Sequence, residues 1–188
     1  MNYIVDQTFE KQDYTTLHLA KGEYEGCVFN ACNFNASNLS NINFIDCTFT
    51  NCNLSTASLG NTGLRNVNFS DCKMLGMHFE NCNTFLFAVS FTKCYLNLSS
   101  FYKCNMKKSV FISCSLHEVD FTECDLSAAS FLHCDFHLSV FGNTILEKAD
   151  LRTSFNYTLD PELNKIKKAK FSLQGSTGLL HKYNIEIE

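Results

Sequence analysis

The sequence predicts an all-β solenoid, because a large apolar side chain recurs at every fifth residue from Phe29 to Leu151. The series shifts by two residues once, between Phe79 and Phe91. On an α-helix a period of five winds the apolar stripe around the axis, and on a strand an odd spacing moves the side chain to the opposite face. The period is kept only if the chain turns a corner in every five-residue segment, or pentad, so that each central residue points inward.

A second column of small side chains predicts the same architecture. Two residues before most central positions stands Cys, Ser or Ala. One large and one small inward residue in each pentad fill a narrow interior without overpacking. The other three positions are mostly polar, as a solvated exterior requires. Repeats of this kind stack on their neighbours and bury one continuous core.

The size of the central residues predicts four sides for each coil. At every fourth pentad, phenylalanine recurs above phenylalanine, and Leu or Met above Leu or Met. Like residues are expected to stack when one coil lies directly above the next. The slip divides the first aromatic column into one that ends at Phe69 and another that starts at Phe91. The expected core ladder comprises Phe29, Phe49, Phe69, Phe91, Phe101, Phe111, Phe121, Phe131 and Phe141.

Several segments carry a recognisable repeat motif. CNFNASNLSNINF, CDLSAASF and KADL resemble the A(D/N)LXX motif of pentapeptide-repeat proteins, and the resemblance covers about residues 7–155. It implies a right-handed quadrilateral β-helix with four pentads per coil. The repeats would then form about seven coils, a rod of roughly 34 Å at about 4.8 Å per coil.

All eleven cysteines fall in the small inward column, which argues against disulfides and zinc. Zinc sites need closely spaced cysteine pairs with matching partners. We interpret each thiol as a small buried side chain, and their odd count favours reduced thiols in a reducing compartment. The cysteines are Cys27, Cys32, Cys47, Cys52, Cys72, Cys82, Cys94, Cys104, Cys114, Cys124 and Cys134.

No motif in the sequence predicts catalysis, a metal site or a cofactor. The histidines are scattered over outward positions, and the closest group, His133 and His137, lacks a full ligand set. The eight glycines form no phosphate-binding pattern. No apolar run is long enough to span a bilayer, and the N-terminus resembles no secretory signal. The sequence therefore predicts a cytoplasmic binding protein that is neither an enzyme nor attached to a membrane.

The slip at residues 82–89 is the first break in the repeat. Thr84 takes a position where a large residue is expected, the register restarts at Leu86, and Phe85 and Phe87 flank it. A bulge or a slightly longer side is the favoured interpretation, since bulges insert residues while the sheet continues. A functional projection with exposed aromatic side chains is the alternative.

The second break divides the chain into a repeat domain, residues 1–155, and a C-terminal cap and dimerisation segment, residues 156–188. Asp160 and Pro161 are typical of a helix start. A short capping helix is expected over residues 172–183 and a brief edge strand after it. Because glycines weaken this helix, it must dock on another surface. A solenoid needs such a cap at its open end.

The C-terminal segment also narrows the resemblance within the family. DPELNKIKKAKFSLQGSTGLLHKYNIEI resembles the ends of the Qnr and McbG branch and is most similar to that of McbG. The resemblance implies a head-to-head homodimer through the C-terminal ends. It also implies a DNA-like rod that binds DNA gyrase or topoisomerase IV and protects it from quinolones or a peptide toxin. The long loops of Qnr proteins are missing here, which favours the McbG-like form. The implied dimer interface comprises Leu173, Leu179, Leu180, Tyr183, Ile185 and Ile187.

The charge distribution is a physical check on DNA mimicry. Residues 1–155 hold 15 acidic and 10 basic side chains, whereas a duplex of about 34 Å carries about 20 phosphates. The charge is uneven, with +4 over residues 85–116 and −6 over residues 117–151. Two such acidic zones at the centre of a dimer would steer it toward a basic surface, although charge blocks also occur on ordinary solvated surfaces. The expected acidic partner-binding residues are Glu118, Asp120, Glu123, Asp125 and Asp135.

Three functions are therefore open. The first is a DNA-mimicking protein that binds a type II topoisomerase and confers quinolone resistance or toxin immunity, with no direct contact to nucleic acid. The second is a generic interaction scaffold for another partner, because solenoid surfaces are common binding platforms. The third is an accessory or metal-binding protein, for which the sequence offers no site.

Overall fold

The computed structural model describes residues 2–85 and 87–186. In this part of the chain, regular structure consists of short β-strands and three 3-10 helices, Phe79–Asn81, Gly175–Leu179 and His181–Tyr183. The strands are β1 (Asn2–Val5), β2 (Thr8–Glu10), β3 (Gly22–Glu25), β4 (Val28–Asn30), β5 (Asn43–Ile45), β6 (Thr48–Thr50), β7 (Gly63–Arg65), β8 (Val67–Ser70), β9 (Val89–Thr92), β10 (Val110–Ile112) and β11 (Ser130–Leu132).

The strands pair in parallel with strands of neighbouring coils, as in a solenoid. One sheet has the order β1-β3-β5-β7 and the other the order β2-β4-β6-β8-β9-β10-β11. Paired residues lie one full coil apart in the chain, for example Phe29 and Phe49 in β4 and β6. The seven strands of the larger sheet define about six successive turns of the chain. The predicted all-β solenoid is confirmed.

Each coil has four sides, because four ladders of parallel pairs run along the rod. We number them in chain order. Side 1 is the seven-stranded sheet, and side 4 begins as the four-stranded sheet and continues to the bridge between Ile145 and Lys165. Isolated bridges define side 2, through Asn33 and Asn53, and side 3, through Asn38 and Ser58.

The corners between sides are made by left-handed backbone. The residue two positions after each central residue has φ between +50° and +62° along most of the rod. Most of these residues are not glycine, and examples are Lys103, Glu118 and Leu138. A left-handed conformation costs an L-residue about 1–2 kcal/mol. The corner at every fifth residue is the reason why the apolar period is five.

The core is a set of stacked rings. All nine phenylalanines of the expected ladder are buried. Phe91 and Phe111 stack with ring centroids 5.1 Å apart, and Phe101 and Phe121 with centroids 5.4 Å apart. The expectation of two separate columns before and after the slip is wrong. Phe69 stacks on Phe91 at 5.4 Å, so one column continues through side 1.

The small inward residues are hydrogen-bond donors as well as space fillers. The Cys114 thiol donates to the carbonyl of Phe91 at 3.5 Å, and the Thr62 and Thr144 hydroxyls donate to the carbonyls of Leu39 and Phe121, each at 2.8 Å. In each case the acceptor belongs to the preceding coil. The carbonyls of Leu39 and Phe121 also accept the backbone amides of Ile42 and Cys124, so the side chains add a second hydrogen bond that joins one coil to the next.

The slip lies at the corner between sides 4 and 1. Val67 of β8 pairs with Val89 of β9, so the sheet continues across the two added residues. Thr84 and Phe85 are exposed, and the guanidinium carbon of Arg65 lies 5.7 Å from the centroid of the Phe85 ring. Leu86 lies outside the described residues.

The coil continues beyond Phe155. Parallel bridges join Asp150 to Lys170 and Ile145 to Lys165. Asn164 is buried and donates to the carbonyl of Phe141 at 3.2 Å, as the threonines of this column do. No helix starts at Pro161: residues 161–163 form a turn, in which the Asp160 carboxylate accepts the Glu162 amide at 2.8 Å.

The expected α-helix over residues 172–183 is instead the two 3-10 helices Gly175–Leu179 and His181–Tyr183. Close contact with Tyr157 explains why residues 175 and 178 are glycine. A Cβ on Gly175 would lie 1.9 Å from the Tyr157 hydroxyl, and one on Gly178 would lie 2.1 Å from its carbonyl oxygen. The glycines allow the segment to dock closely. Residues 184–186 form no strand, and Ile187 lies outside the described residues.

Candidate partner-binding surface

The predicted acidic residues are spread around the rod. Glu118 lies at the corner of sides 2 and 3, Asp120 on side 3 and Glu123 at the corner of sides 3 and 4. Asp125 lies on side 4 and Asp135 on side 2. The structure therefore groups Glu118, Asp120 and Glu123 around side 3 of a single coil. The other two face different directions.

Three of these acids are paired with a basic side chain from the coil before. Glu123 lies 3.5 Å from Lys103, Asp125 lies 3.2 Å from Lys107, and the Asp135 carboxylate lies 2.8 Å from His117 Nε2. Neither Glu118 nor Asp120 forms an ion pair with any described residue. Asp120 accepts a hydrogen bond from the Thr122 amide at 2.8 Å. Among the five predicted acids, the uncompensated charge thus lies on side 3 and its corner with side 2.

The pKa values of two of the paired carboxyl groups, Asp125 and Asp135, are lowered. Partial burial raises the pKa of the Asp125 carboxyl, but hydrogen bonds from Ser127 and Lys107 lower it by more. Partial burial likewise raises the pKa of Asp135, and hydrogen bonds from His117 and Asn156 lower it below its usual range. These hydrogen bonds tie one coil to the next, because most of the donors belong to a neighbouring coil.

Side 3 also carries exposed apolar side chains that sequence reasoning missed. Leu98, Leu138 and Val140 are 60%, 65% and 52% exposed. Leu98 and Leu138 occupy the corner of sides 2 and 3, one coil before and one coil after Glu118. The sequence could have revealed these residues, because a leucine two positions after a central residue is expected to be exposed and to have a left-handed backbone, which is uncommon for leucine. We call Leu98, Glu118, Asp120, Leu138 and Val140 the side-3 patch.

The apolar residues of the C-terminal segment form a second surface. Leu173 is 90% exposed, and Leu180, Tyr183 and Ile185 are also exposed, whereas Leu179 packs partly against the core. The segment is fastened to the preceding turn by Lys182, whose ammonium lies 2.8 Å from Asp160 and 2.7 Å from Glu162. This end of the rod therefore presents several apolar side chains on a fixed support.

The described residues contain neither a cluster of metal-ligating side chains nor a helix that could span a membrane. Among residues 2–85 and 87–186, no group of three or more His, Cys, Asp or Glu side chains is arranged to hold a metal ion. The described part of the chain also has no helix that is long and apolar enough to cross a membrane. The surfaces available for function are the sides and corners of the rod and its C-terminal end.

The repeat assigns the protein to a family. Residues 23–85 and 84–155 match the family model described as a pentapeptide repeat region, which covers more than half of the chain. The chain belongs to the pentapeptide-repeat family. This pentapeptide-repeat protein has no match among the curated proteins.

Solved structures with the same fold include a quinolone-resistance protein. Full-length QnrB1, a plasmid-mediated fluoroquinolone resistance protein, matches with a TM-score of 0.61 and 14% identity, over 98% of this chain and 100% of its own. A trypsin-treated variant of QnrB1 matches with a TM-score of 0.64 and 19% identity, over 100% of this chain and 92% of its own. Identities this low establish a shared β-helix fold and nothing more specific.

Proposed function

We propose that this pentapeptide-repeat protein binds a type II topoisomerase, DNA gyrase or topoisomerase IV, and protects it from quinolones or a peptide toxin. Binding, without catalysis, is the activity that a rod of this kind supports. The observation that carries the proposal is the end-to-end likeness to QnrB1, which extends over 98% of this chain, C-terminal segment included.

The charge pattern supports the proposal on one side of the rod only. Glu118 and Asp120 are the predicted acids that remain unpaired, and a basic DNA-binding surface on an enzyme would attract them. Asp125 already has the ammonium of Lys107 at 3.2 Å, and Asp135 already has the imidazole of His117 at 2.8 Å. In the mechanism that we propose, side 3 of the rod binds the surface of the enzyme that otherwise binds DNA.

The proposed assembly is a homodimer through the C-terminal ends. Leu173, Leu180 and Tyr183 are large side chains left exposed on a docked segment, as expected of a self-complementary contact. Two copies joined there would form a longer rod with side-3 patches on both arms. Each arm would then meet one subunit of a two-fold symmetric enzyme.

The test is binding to purified gyrase, with supercoiling measured under a quinolone titration. The unmodified protein should bind and raise the drug concentration needed for half inhibition. A Glu118→Lys, Asp120→Lys variant should lose both effects. A matched reversal at the other end of the rod, Glu10→Lys with Glu23→Lys, should keep them. Absence of binding by the unmodified protein to gyrase and to topoisomerase IV would overturn the proposal.

A scaffold for a different partner is the second candidate, and the side-3 patch favours it. Exposed apolar side chains flanking acidic ones are typical of protein interfaces, whose centres are apolar and whose rims are polar. Phosphates on DNA have no counterpart to Leu98, Leu138 and Val140. If Leu98→Ser and Leu138→Ser leave gyrase binding unchanged while the protein stays folded, these leucines serve another contact.

A further inference from the structure

The last coils of the rod carry a concentrated group of lysines. Lys148 and Lys168 occupy the corner between sides 4 and 1 in two successive coils, with φ of +60° and +61°. Lys165 lies on side 4 and Lys170 on side 1, as their bridges to Ile145 and Asp150 show. Lys167 follows on side 4, where its carbonyl accepts the Lys148 amide at 3.0 Å. We call these five residues the lysine edge.

Most of this positive charge has no partner. Among the described residues, Lys148, Lys165, Lys167 and Lys168 form no ion pair, and all four are exposed. Lys170 lies 3.8 Å from Asp150, whose carboxylate is already held by Arg152 at 2.7 Å. Elsewhere on the rod, Lys103 and Lys107 meet an acid of the next coil, and Lys73 and Lys93 also form no ion pair with a described residue. The edge is distinguished by the number of lysines that two adjacent coils bring together.

The shape of the edge matters as much as its charge. A corner is convex, and this corner has lysines on both flanks, two on side 4 and one on side 1. The flanks also hold two acids, Glu147 on side 4 and the paired Asp150 on side 1, so the five lysines keep an excess of positive charge. An edge of this kind can reach the phosphates of both strands that border a groove, since the major groove is about 12 Å wide. The phosphates of a duplex form two such rows, one on each strand, at regular spacing. The arrangement therefore favours a duplex over an acidic protein.

The edge also lies away from the acidic side of the rod. Glu118 occupies the corner of sides 2 and 3, diagonally opposite the corner that holds Lys148 and Lys168. The formal net charge of the chain is −4, but screening confines its repulsion to about 10 Å at ordinary salt. The lysine edge can therefore act as a separate cationic surface.

We propose that the lysine edge binds the phosphate backbone of duplex DNA without reading its sequence. Phosphate contacts position a protein on DNA, while base contacts specify sequence. The neighbouring residues of this corner one coil earlier, Ser127 and Ala128, are too short to reach base edges. The proposal departs from the expectation that the protein makes no contact with nucleic acid, and it is independent of the proposed topoisomerase partner.

The experiment is fluorescence anisotropy with the full chain and a labelled 30-base-pair duplex, without any topoisomerase. Four unpaired lysines that each neutralise one phosphate predict a slope of about −3.6 in log affinity against log salt. Affinity should then fall about 150-fold between 50 and 200 mM salt. If the unmodified protein does not bind the duplex at 50 mM salt, the proposal is overturned.

Matched variants locate the surface. Lys165→Gln, Lys167→Gln and Lys168→Gln together should weaken binding at least tenfold and reduce the slope to about −1. A control removes three exposed lysines elsewhere, Lys21→Gln, Lys73→Gln and Lys93→Gln, and should keep the original slope. Equal losses in both variants would show a general charge effect and reject the lysine edge. If thermal melting shows that the triple variant is unstable, the side-4 pair Lys165→Gln and Lys167→Gln replaces it, with a slope near −1.8.

Competition decides which kind of polyanion the edge prefers. Unlabelled duplex should displace the labelled duplex, and polyglutamate at the same concentration of charge should displace much less of it. Equal displacement by polyglutamate would overturn the assignment to DNA and identify a surface for acidic proteins.

Discussion

At the scale of the residue, the small inward positions combine two requirements that the apolar pattern does not separate. The side chain must be short, and at many of these positions it also donates a hydrogen bond to a carbonyl of the preceding coil, although Ala57 and Ala129 fill the same column without a donor. Cys114 meets both through its contact of 3.5 Å with Phe91, and Ser99 does so through a hydrogen bond of 3.0 Å to Met74. The thiols are therefore weak donors as well as small hydrophobic groups.

Substitution of Cys114 tests this role. Cys114→Ala should lower the free energy of unfolding by about 0.5–1.5 kcal/mol, because the core loses the hydrogen bond from the thiol to the carbonyl of Phe91. Cys114→Ser should cost less, since a hydroxyl can make the same bond. Urea unfolding of both variants measures the difference. Equal losses would mean that only the volume of the side chain matters.

The buried thiols also predict sensitivity to alkali. Burial raises the pKa of Cys47 and of Cys104, each to about 12, while an unfolded thiol titrates near 8.5. A raised folded pKa contributes stability that is complete below about pH 8.5 and is lost as the pH rises toward 12. Each such thiol should lower the free energy of unfolding by up to about 1.4 kcal/mol per pH unit in that range.

Urea unfolding at pH 7.5 and 9.5 under reducing conditions measures this loss. A variant with Cys47→Ser and Cys104→Ser should lose less stability between the two pH values, because a serine hydroxyl does not ionise in this range. Equal pH dependence of the two proteins would contradict thiol ionisation as the cause.

At the scale of the element, one coil is stable because it stacks on the next. Phe111 is fully buried and stacks on Phe91 and Phe131 at 5.1 Å and 4.8 Å. Asn105 is exposed, and its side-chain oxygen accepts the Lys107 amide at 3.4 Å. The equivalent residue of the next coil, Asp125, makes the same bond with its carboxylate, which accepts the Ser127 amide at 3.0 Å.

The same substitution at these two positions should therefore have opposite outcomes. Phe111→Asp should unfold the protein, with a loss above about 4 kcal/mol, because a charge without a partner cannot be solvated in the core. Asn105→Asp should change the melting temperature little, since aspartate keeps the acceptor. Similar melting temperatures for both variants would contradict the five-residue register.

At the scale of the whole molecule, the C-terminal end divides into a docking part and an exposed part. Leu179 packs against the core, whereas Leu173 and Leu180 remain exposed. Tyr157 holds the segment through close contact with Gly175 and Gly178. The proposed dimer depends on the exposed part, and the stability of the cap depends on the docked part.

Two variants separate these roles. Leu173→Glu with Leu180→Glu should give a folded monomer, because only the exposed leucines change. Leu179→Glu should lower the melting temperature of the protein, since it places a charge against the core. Light scattering after size exclusion gives the mass, and circular dichroism gives the melting temperature. A dimer that survives the double substitution would place the interface elsewhere.

Much of the fold was predictable, because the five-residue apolar period indicates that the chain turns a corner in every pentad. The residues after Phe155 were harder to interpret. Asn164 and Ile166 keep the positions of Thr144 and Leu146, one coil later. The segment between Phe155 and Asn164 interrupts the pattern, and the return of the register is visible only when the ladder of bridges is followed.

The candidate surface was less predictable than the fold, because its charges are compensated between coils. Asp125 and Asp135 look like free acids in the sequence, yet their partners Lys107 and His117 stand almost a full coil earlier in the chain. A sum over a segment places all of these charges in one zone. The structure distributes them over different sides, and the side on which a residue lies decides which partner it can meet.

The four-sided coil has a consequence for how such a rod can change in length. Insertion of four pentads adds a level without altering the azimuth of anything that follows, whereas insertion of a single pentad turns the rest of the rod by about a quarter turn. A pentad added between Asp125 and Ile145 would bring the corner of Lys148 and Lys168 next to that of Glu118 instead of opposite it. Duplication of whole coils therefore leaves each surface facing the same direction about the rod axis. Insertion of one, two or three pentads changes the direction that the following surfaces face.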